Sequence, residues 1–117
     1  MRTLVHEYGG GEFLVRDGEL FHVDLNQPGV QRSGSAGRRA VPGTLSLARY
    51  ADFDLSRRGR WLVAVEEEHR EGREAENRIV AFDLEAGGRR VVAAGHDFVS
   101  NPRFSPRGDR LAYLAWD

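Results

Sequence analysis

Asn101-Pro102-Arg103-Phe104-Ser105-Pro106-Arg107-Gly108-Asp109-Arg110-Leu111-Ala112-Tyr113-Leu114 reads as a short strand, a tight turn at Pro106 to Asp109, and a second strand. Proline presets φ for the first turn position, and glycine accepts a backbone angle that other residues resist. The stretch has a copy. Ser56-Arg57-Arg58-Gly59-Arg60-Trp61-Leu62-Val63-Ala64-Val65 matches Ser105 to Leu114 at a constant offset of 49, with Ser, Arg, Gly and Leu identical at four positions. A weaker copy lies upstream, where Phe13-Leu14-Val15-Arg16-Asp17-Gly18 leads into Leu20-Phe21-His22-Val23. A β-hairpin that recurs every 40 to 50 residues or so is the mark of a propeller blade array.

Outward from these hairpins the chain divides into units. Asp17-Gly18 is a hairpin turn signal between Phe13–Val15 and Leu20–Leu25. Asn26-Gln27-Pro28-Gly29 reads as a turn, Val30-Gln31-Arg32 as a third strand, Ser33 to Gly37 as a flexible loop, and Arg39-Ala40-Val41 as a fourth strand. The next unit starts at Pro42-Gly43-Thr44. Its strands are Tyr50 to Leu55, Trp61 to Glu66, Arg78 to Leu84 and Arg90 to Ala93. The expected fold is all-β, an incomplete β-propeller of about two and a half four-stranded antiparallel blades. Residues 1–45 form blade one, 46–94 blade two and 95–117 the first half of blade three.

The repeat extends into the loops. At an offset of 90, His6-Glu7-Tyr8 aligns with His96-Asp97-Phe98. Each triplet precedes an innermost strand, where loops emerge on one propeller face. A carboxylate there could hold a peptide amino group and an aromatic could stack on its side chain. The structural alternative is that the polar pair ties down the loop while the aromatic packs between blades. These six residues are the candidate substrate contacts.

Composition narrows the function. The chain has 117 residues, 40% of them hydrophobic and 30% charged, enough for one ordinary domain. Mean hydropathy is −0.52. A formal charge of −1 gives no reason to expect nucleic acid or an anionic membrane as partner. With no cysteine, disulfides and thiolate metal sites are excluded. No apolar run approaches the length of a membrane span, and the N-terminus has no signal core, so a cytoplasmic location is expected. His6, His22, His69 and His96 lack close metal-ligand spacing. Gly9-Gly10-Gly11 lacks the Lys-Ser or Lys-Thr of a phosphate loop, and no cofactor is expected. Glu66-Glu67-Glu68 runs into a charged stretch and reads as part of a solvated loop. Gly95-His96 and Trp116-Asp117 mimic the marks of WD repeats, but in the wrong strand order.

Three stretches carry a family resemblance. They are Val5-His6-Glu7-Tyr8-Gly9-Gly10-Gly11 with Phe13, the Ser56 to Val63 hairpin, and Gly95-His96-Asp97-Phe98 through Ser105-Pro106 and Gly108 to Trp116-Asp117. Together the chain resembles the N-terminal β-propeller of the prolyl oligopeptidase family of serine peptidases, in its bacterial acylaminoacyl-peptidase and dipeptidyl-aminopeptidase-like branch. The resemblance implies a propeller that restricts short peptides to an α/β-hydrolase domain of the same parent chain, whose nucleophile sits in Gly-x-Ser-x-Gly. No serine of this sequence is flanked that way, so no catalytic residue is assigned. Two and a half blades leave strand edges open. The chain is expected to be a piece of a longer protein, a non-catalytic gating segment. The alternative is a homo-oligomeric, non-enzymatic binding propeller that completes its ring with other copies.

Overall fold

The computed structural model describes residues 13–24, 27–45, 48–68, 76–95 and 98–116. Ten strands carry the fold: β1 (Phe13–Arg16), β2 (Glu19–Asp24), β3 (Gln27–Gly34), β4 (Gly37–Ala40), β5 (Ala48–Leu55), β6 (Trp61–Glu68), β7 (Glu76–Asp83), β8 (Arg89–Ala93), β9 (Phe98–Phe104) and β10 (Leu111–Trp116). They form three antiparallel sheets. Sheet one has the order β1-β2-β3-β4, sheet two β5-β6-β7-β8, and sheet three is the hairpin β9-β10. The three do not close on one another, and among the described residues no helix is long and apolar enough to cross a membrane.

Sheet two lies in the middle because its strands alternate two apolar faces. Leu62, Ala64, Val80 and Phe82 join Tyr50, Phe53 and Leu55 against Phe21 and Val30 of sheet one. Val65 and Ile79, on the opposite face, pack with Ala93, Val99 and Leu111 toward the β9-β10 hairpin. Burying both faces calls for strands apolar on both sides, hence the unbroken Leu62-Val63-Ala64-Val65 and Ile79-Val80-Ala81-Phe82 runs.

The 49-residue repeat holds at the level of single hydrogen bonds. Ser56 N–H donates to Trp61 O and Ser105 N–H to Arg110 O, both at 2.8 Å. In each turn the serine Oγ accepts a second N–H, from Trp61 at 3.0 Å and from Arg110 at 3.2 Å. A bulge repeats as well. Asp52-Phe53 bulge opposite Ala64, and Asn101-Pro102 opposite Tyr113, at the same offset. The first bulged residue takes a left-handed conformation in both, φ 55° at Asp52 and 54° at Asn101. The second, Phe53 or Pro102, is buried in both.

Three expectations are corrected. Ser33 to Gly37 is not a flexible loop, since Ser33 and Gly34 end β3, Ser35-Ala36 form a two-residue turn and Gly37 opens β4. Serine and glycine suit a tight hairpin as well as an open loop, and Gly37 supplies φ 92°. Gln27 to Gly29 belong to β3 rather than to a turn, paired to β2 through a register shift beside Asp24. Glu66-Glu67-Glu68 are strand, not solvated loop, and Glu66 is 0% exposed. Its carboxylate is buried because two arginines and a tyrosine meet it there.

Candidate functional site

That buried carboxylate is the first place to look for chemistry. The Tyr50 hydroxyl donates to Glu66 Oε2 at 2.6 Å. Arg89 Nε donates to the same oxygen at 2.9 Å while its Nη2 pairs with Oε1. Arg78 Nε stands 2.9 Å from Oε1. Tyr50 Oη in turn accepts the backbone N–H of Leu45, the residue nearest β5 in the described connection from β4. Burial, reinforced by the Glu66 hydrogen bond, raises the Tyr50 pKa well above its ordinary value. Glu66 also raises the Arg89 pKa. The Glu66 carboxylate is fully buried and the other members of the cluster come from β5, β7, β8 and the connection before β5, so the cluster ties the strands of sheet two together and is not a reaction centre.

A cleft of about 220 Å³ opens between sheet two and the β9-β10 hairpin. Ala51, Val65 and Val99 form its apolar lining, Arg49, Asp52, Glu67, Asn77 and Ser100 its polar groups, and Phe98 and Trp116 its aromatic wall. Phe98 and Trp116 are a cross-strand pair whose rings stack at 5.5 Å and 20°. Both are about half exposed, Phe98 52% and Trp116 49%. Asp52 sits at the strained bulge, and its Oδ2 accepts the Asn101 N–H at 3.4 Å. The cleft offers an exposed π surface, a guanidinium at Arg49 and carboxylates at Asp52 and Glu67. It can hold an amphipathic ligand. The hydroxyl among its described lining residues, Ser100, has no described imidazole beside it.

A second cleft, of about 230 Å³, lies at the turn end of the sheets between Arg16, Asp54, Arg57 and Pro106. Its groups are engaged in holding sheets together. Arg16 Nη1 donates to the Leu55 and Ser56 carbonyls at 2.9 and 3.0 Å. Asp54 accepts the Phe104 N–H at 2.8 Å and lies 3.7 Å from Arg16 Nη2. That carboxylate therefore touches all three sheets.

His22 Nε2 and Ser33 Oγ are 3.1 Å apart, the sort of contact that invites a hydrolase reading. Strand alternation sets both on the face of sheet one opposite Phe21 and Val30. Hydrolysis also needs an oxyanion site beside the hydroxyl, and the ladder hydrogen bonds of β2 and β3 already occupy backbone groups there. The contact is a diagonal cross-strand pair.

Of the sequence-derived candidates, His6, Glu7, Tyr8, His96 and Asp97 lie outside the described residues. Phe98 is described, and it stands on the cleft wall. Sequence reasoning missed Arg49, Asp52 and Trp116. The offset of 49 carried a signal for two of them: it aligns Asp52 with Asn101, whose N–H the aspartate accepts, and Glu67 with Trp116, which both line the cleft.

With this geometry in view, the chain matches no family model and no curated protein. It is similar to the solved structure of a Mycobacterium tuberculosis puromycin-hydrolyzing peptidase, with a TM-score of 0.77 and 28% sequence identity. The likeness covers 99% of this chain and 21% of that one, so the chain spans about a fifth of the peptidase's length. The fold is peptidase-related.

Proposed function

We propose that the chain is a β-propeller segment of a serine peptidase of the prolyl oligopeptidase family, non-catalytic by itself, which gates and orients short peptides for a hydrolase domain of the same polypeptide. The single observation that carries this reading is the likeness to the puromycin-hydrolyzing peptidase along 99% of the chain. The sheets β1–β4, β5–β8 and β9–β10 correspond on this reading to two blades and the first half of a third. The Phe98–Trp116 wall is the substrate-facing part: a stacked pair gives a peptide side chain a flat apolar surface, while Arg49 and Asp52 offer polar anchors.

Puromycin and a short aromatic peptide test the reading directly on the 117-residue chain. The expected result is a saturable change in tryptophan emission that is lost in Trp116→Phe, with no product formed. Hydrolysis by the chain alone would overturn the non-catalytic role. An emission unaffected by either ligand would overturn the substrate-facing role of the cleft.

A further inference from the structure

Residues 56–60 and 105–110, the turns of successive repeats, hold five arginines against one carboxylate, Asp109. The fold engages one of the five: Arg60 pairs with Asp83 and Glu85. Arg57, Arg58, Arg107 and Arg110 are exposed, and among the described residues none of their side chains meets an acceptor. Elsewhere the pattern is the opposite. Arg16, Arg32, Arg39, Arg78 and Arg89 each face a carboxylate.

The two turns are in contact. A Cβ on Gly108 would stand 3.8 Å from the Arg57 backbone nitrogen and 3.9 Å from its Cβ, so the turn of Arg107 lies against that of Arg57 and Arg58. The offset of 49 sets Arg58 and Arg107 at the same place, each just before the turn glycine. Like charges gathered in this way raise a local positive potential that a counter-charge relieves. The turn-end cleft opens beside them. Its Asp54 is already met by Arg16 and the Phe104 N–H, whereas its Arg57 has no carboxylate.

We propose that the two turns form a docking site for an acidic peptide segment, one with several carboxylates in a short run. A guanidinium fork matches a carboxylate in shape and charge. One exposed ion pair contributes little, so a lone carboxylate would not stay, whereas several on one chain bind together. Nucleic acid is a poorer match, because base stacking needs an open aromatic face. The rings that flank the turns in sequence are Phe104 and Trp61. Both are partly buried, and Arg60 and Arg90 already lie over Trp61 at 5.4 and 5.0 Å. The site is at the opposite end of β5 and β9 from the aromatic cleft, so the inference stands whether or not that cleft binds peptides.

The probe is N-acetylated, fluorescently labelled hexaglutamate, titrated into the 117-residue chain and read by anisotropy. The whole chain has a formal charge of −1, so attraction must come from a local patch and not from the molecule at large. The expected result is saturable binding at about 25 mM salt that weakens at least about tenfold at about 250 mM, as screening shortens the reach of exposed charges. Arg57→Gln combined with Arg107→Gln should weaken it at least about fivefold. Arg38→Gln combined with Arg39→Gln removes the same charge from β4, outside these turns, and should leave binding within about twofold. All four side chains are exposed, so both double variants keep the fold, which circular dichroism checks. No saturable binding at the lower salt overturns the proposal. So does equal weakening in the two double variants, which would leave only overall charge as the cause. Tighter binding of hexathymidylate would overturn it in favour of nucleic acid. Self-association that Arg57→Gln with Arg107→Gln abolishes, while hexaglutamate does not bind, would overturn it in favour of a second copy.

Discussion

The Asn101 backbone N–H donates to the Asp52 carboxylate across 3.4 Å, and the two residues hold the same place in successive repeats, each the left-handed first residue of a bulge. Asparagine and aspartate tolerate that conformation better than other non-glycine residues. Asn101→Ala should destabilise the fold by about 1 kcal/mol, the steric cost of a Cβ in the left-handed region, while Asn101→Gly should be neutral or stabilising. Denaturant unfolding followed by circular dichroism measures both, and equal losses in the two variants would remove the bulge conformation as the cause.

Glu66 is the most deeply buried charge among the described residues. Glu66→Ala leaves Arg89 partly buried without its carboxylate while Arg78 keeps Glu68 and Glu76, so the loss should be about 3 kcal/mol, the low end for a broken buried pair. Glu66→Gln keeps the shape but not the charge and should also destabilise. Their shared loss of midpoint denaturant concentration is the quantity to measure, and a stability like that of the parent in Glu66→Ala would show that the cluster does not hold the strands of sheet two together.

Acid should unmask Asp83. Arg60 donates to it at 2.9 Å, and together with the N–H groups of Ala86 and Glu85 lowers its pKa from 3.8 to about 2. A carboxyl depressed in the folded state contributes stability above its unfolded pKa and loses it as pH falls through the folded value. The contribution should therefore fade between about pH 4 and about pH 2. Arg60→Ala should flatten that part of the pH–stability curve. An unchanged slope in the variant would assign the acid transition to other groups.

The two turn serines separate burial from geometry. Ser56 and Ser105 accept equivalent N–H groups, yet Ser56 is buried and Ser105 only partly so. Ser56→Ala leaves the Trp61 N–H without its side-chain acceptor in a drier place, at a cost of about 1–3 kcal/mol, whereas Ser105→Ala should cost about 1 kcal/mol or less. Thermal unfolding of both variants reads the difference, and a reversed order would contradict it.

Much of this fold is written in local signals. The Asp17-Gly18 turn takes φ 52° and 80°, as a two-residue hairpin needs, and the repeat at 49 anticipated the matching turns of Ser56 and Ser105. What stayed hidden is long-range. A row of glutamates looks solvated until Arg78, Arg89 and Tyr50 are brought to one of them from three other strands. A bulge leaves no mark in composition, so Asp52 reads as one more polar strand residue. Trp116 reads as half of a coincidental motif until the β9-β10 register sets it against Phe98.

The most direct test of the peptidase reading is the mass and sequence of the native polypeptide in its source cells. The expected result is a protein far heavier than 13.1 kDa in which Gly-x-Ser-x-Gly lies beyond Asp117. A native 13.1 kDa polypeptide, whether alone or as a ring of identical copies, would contradict it.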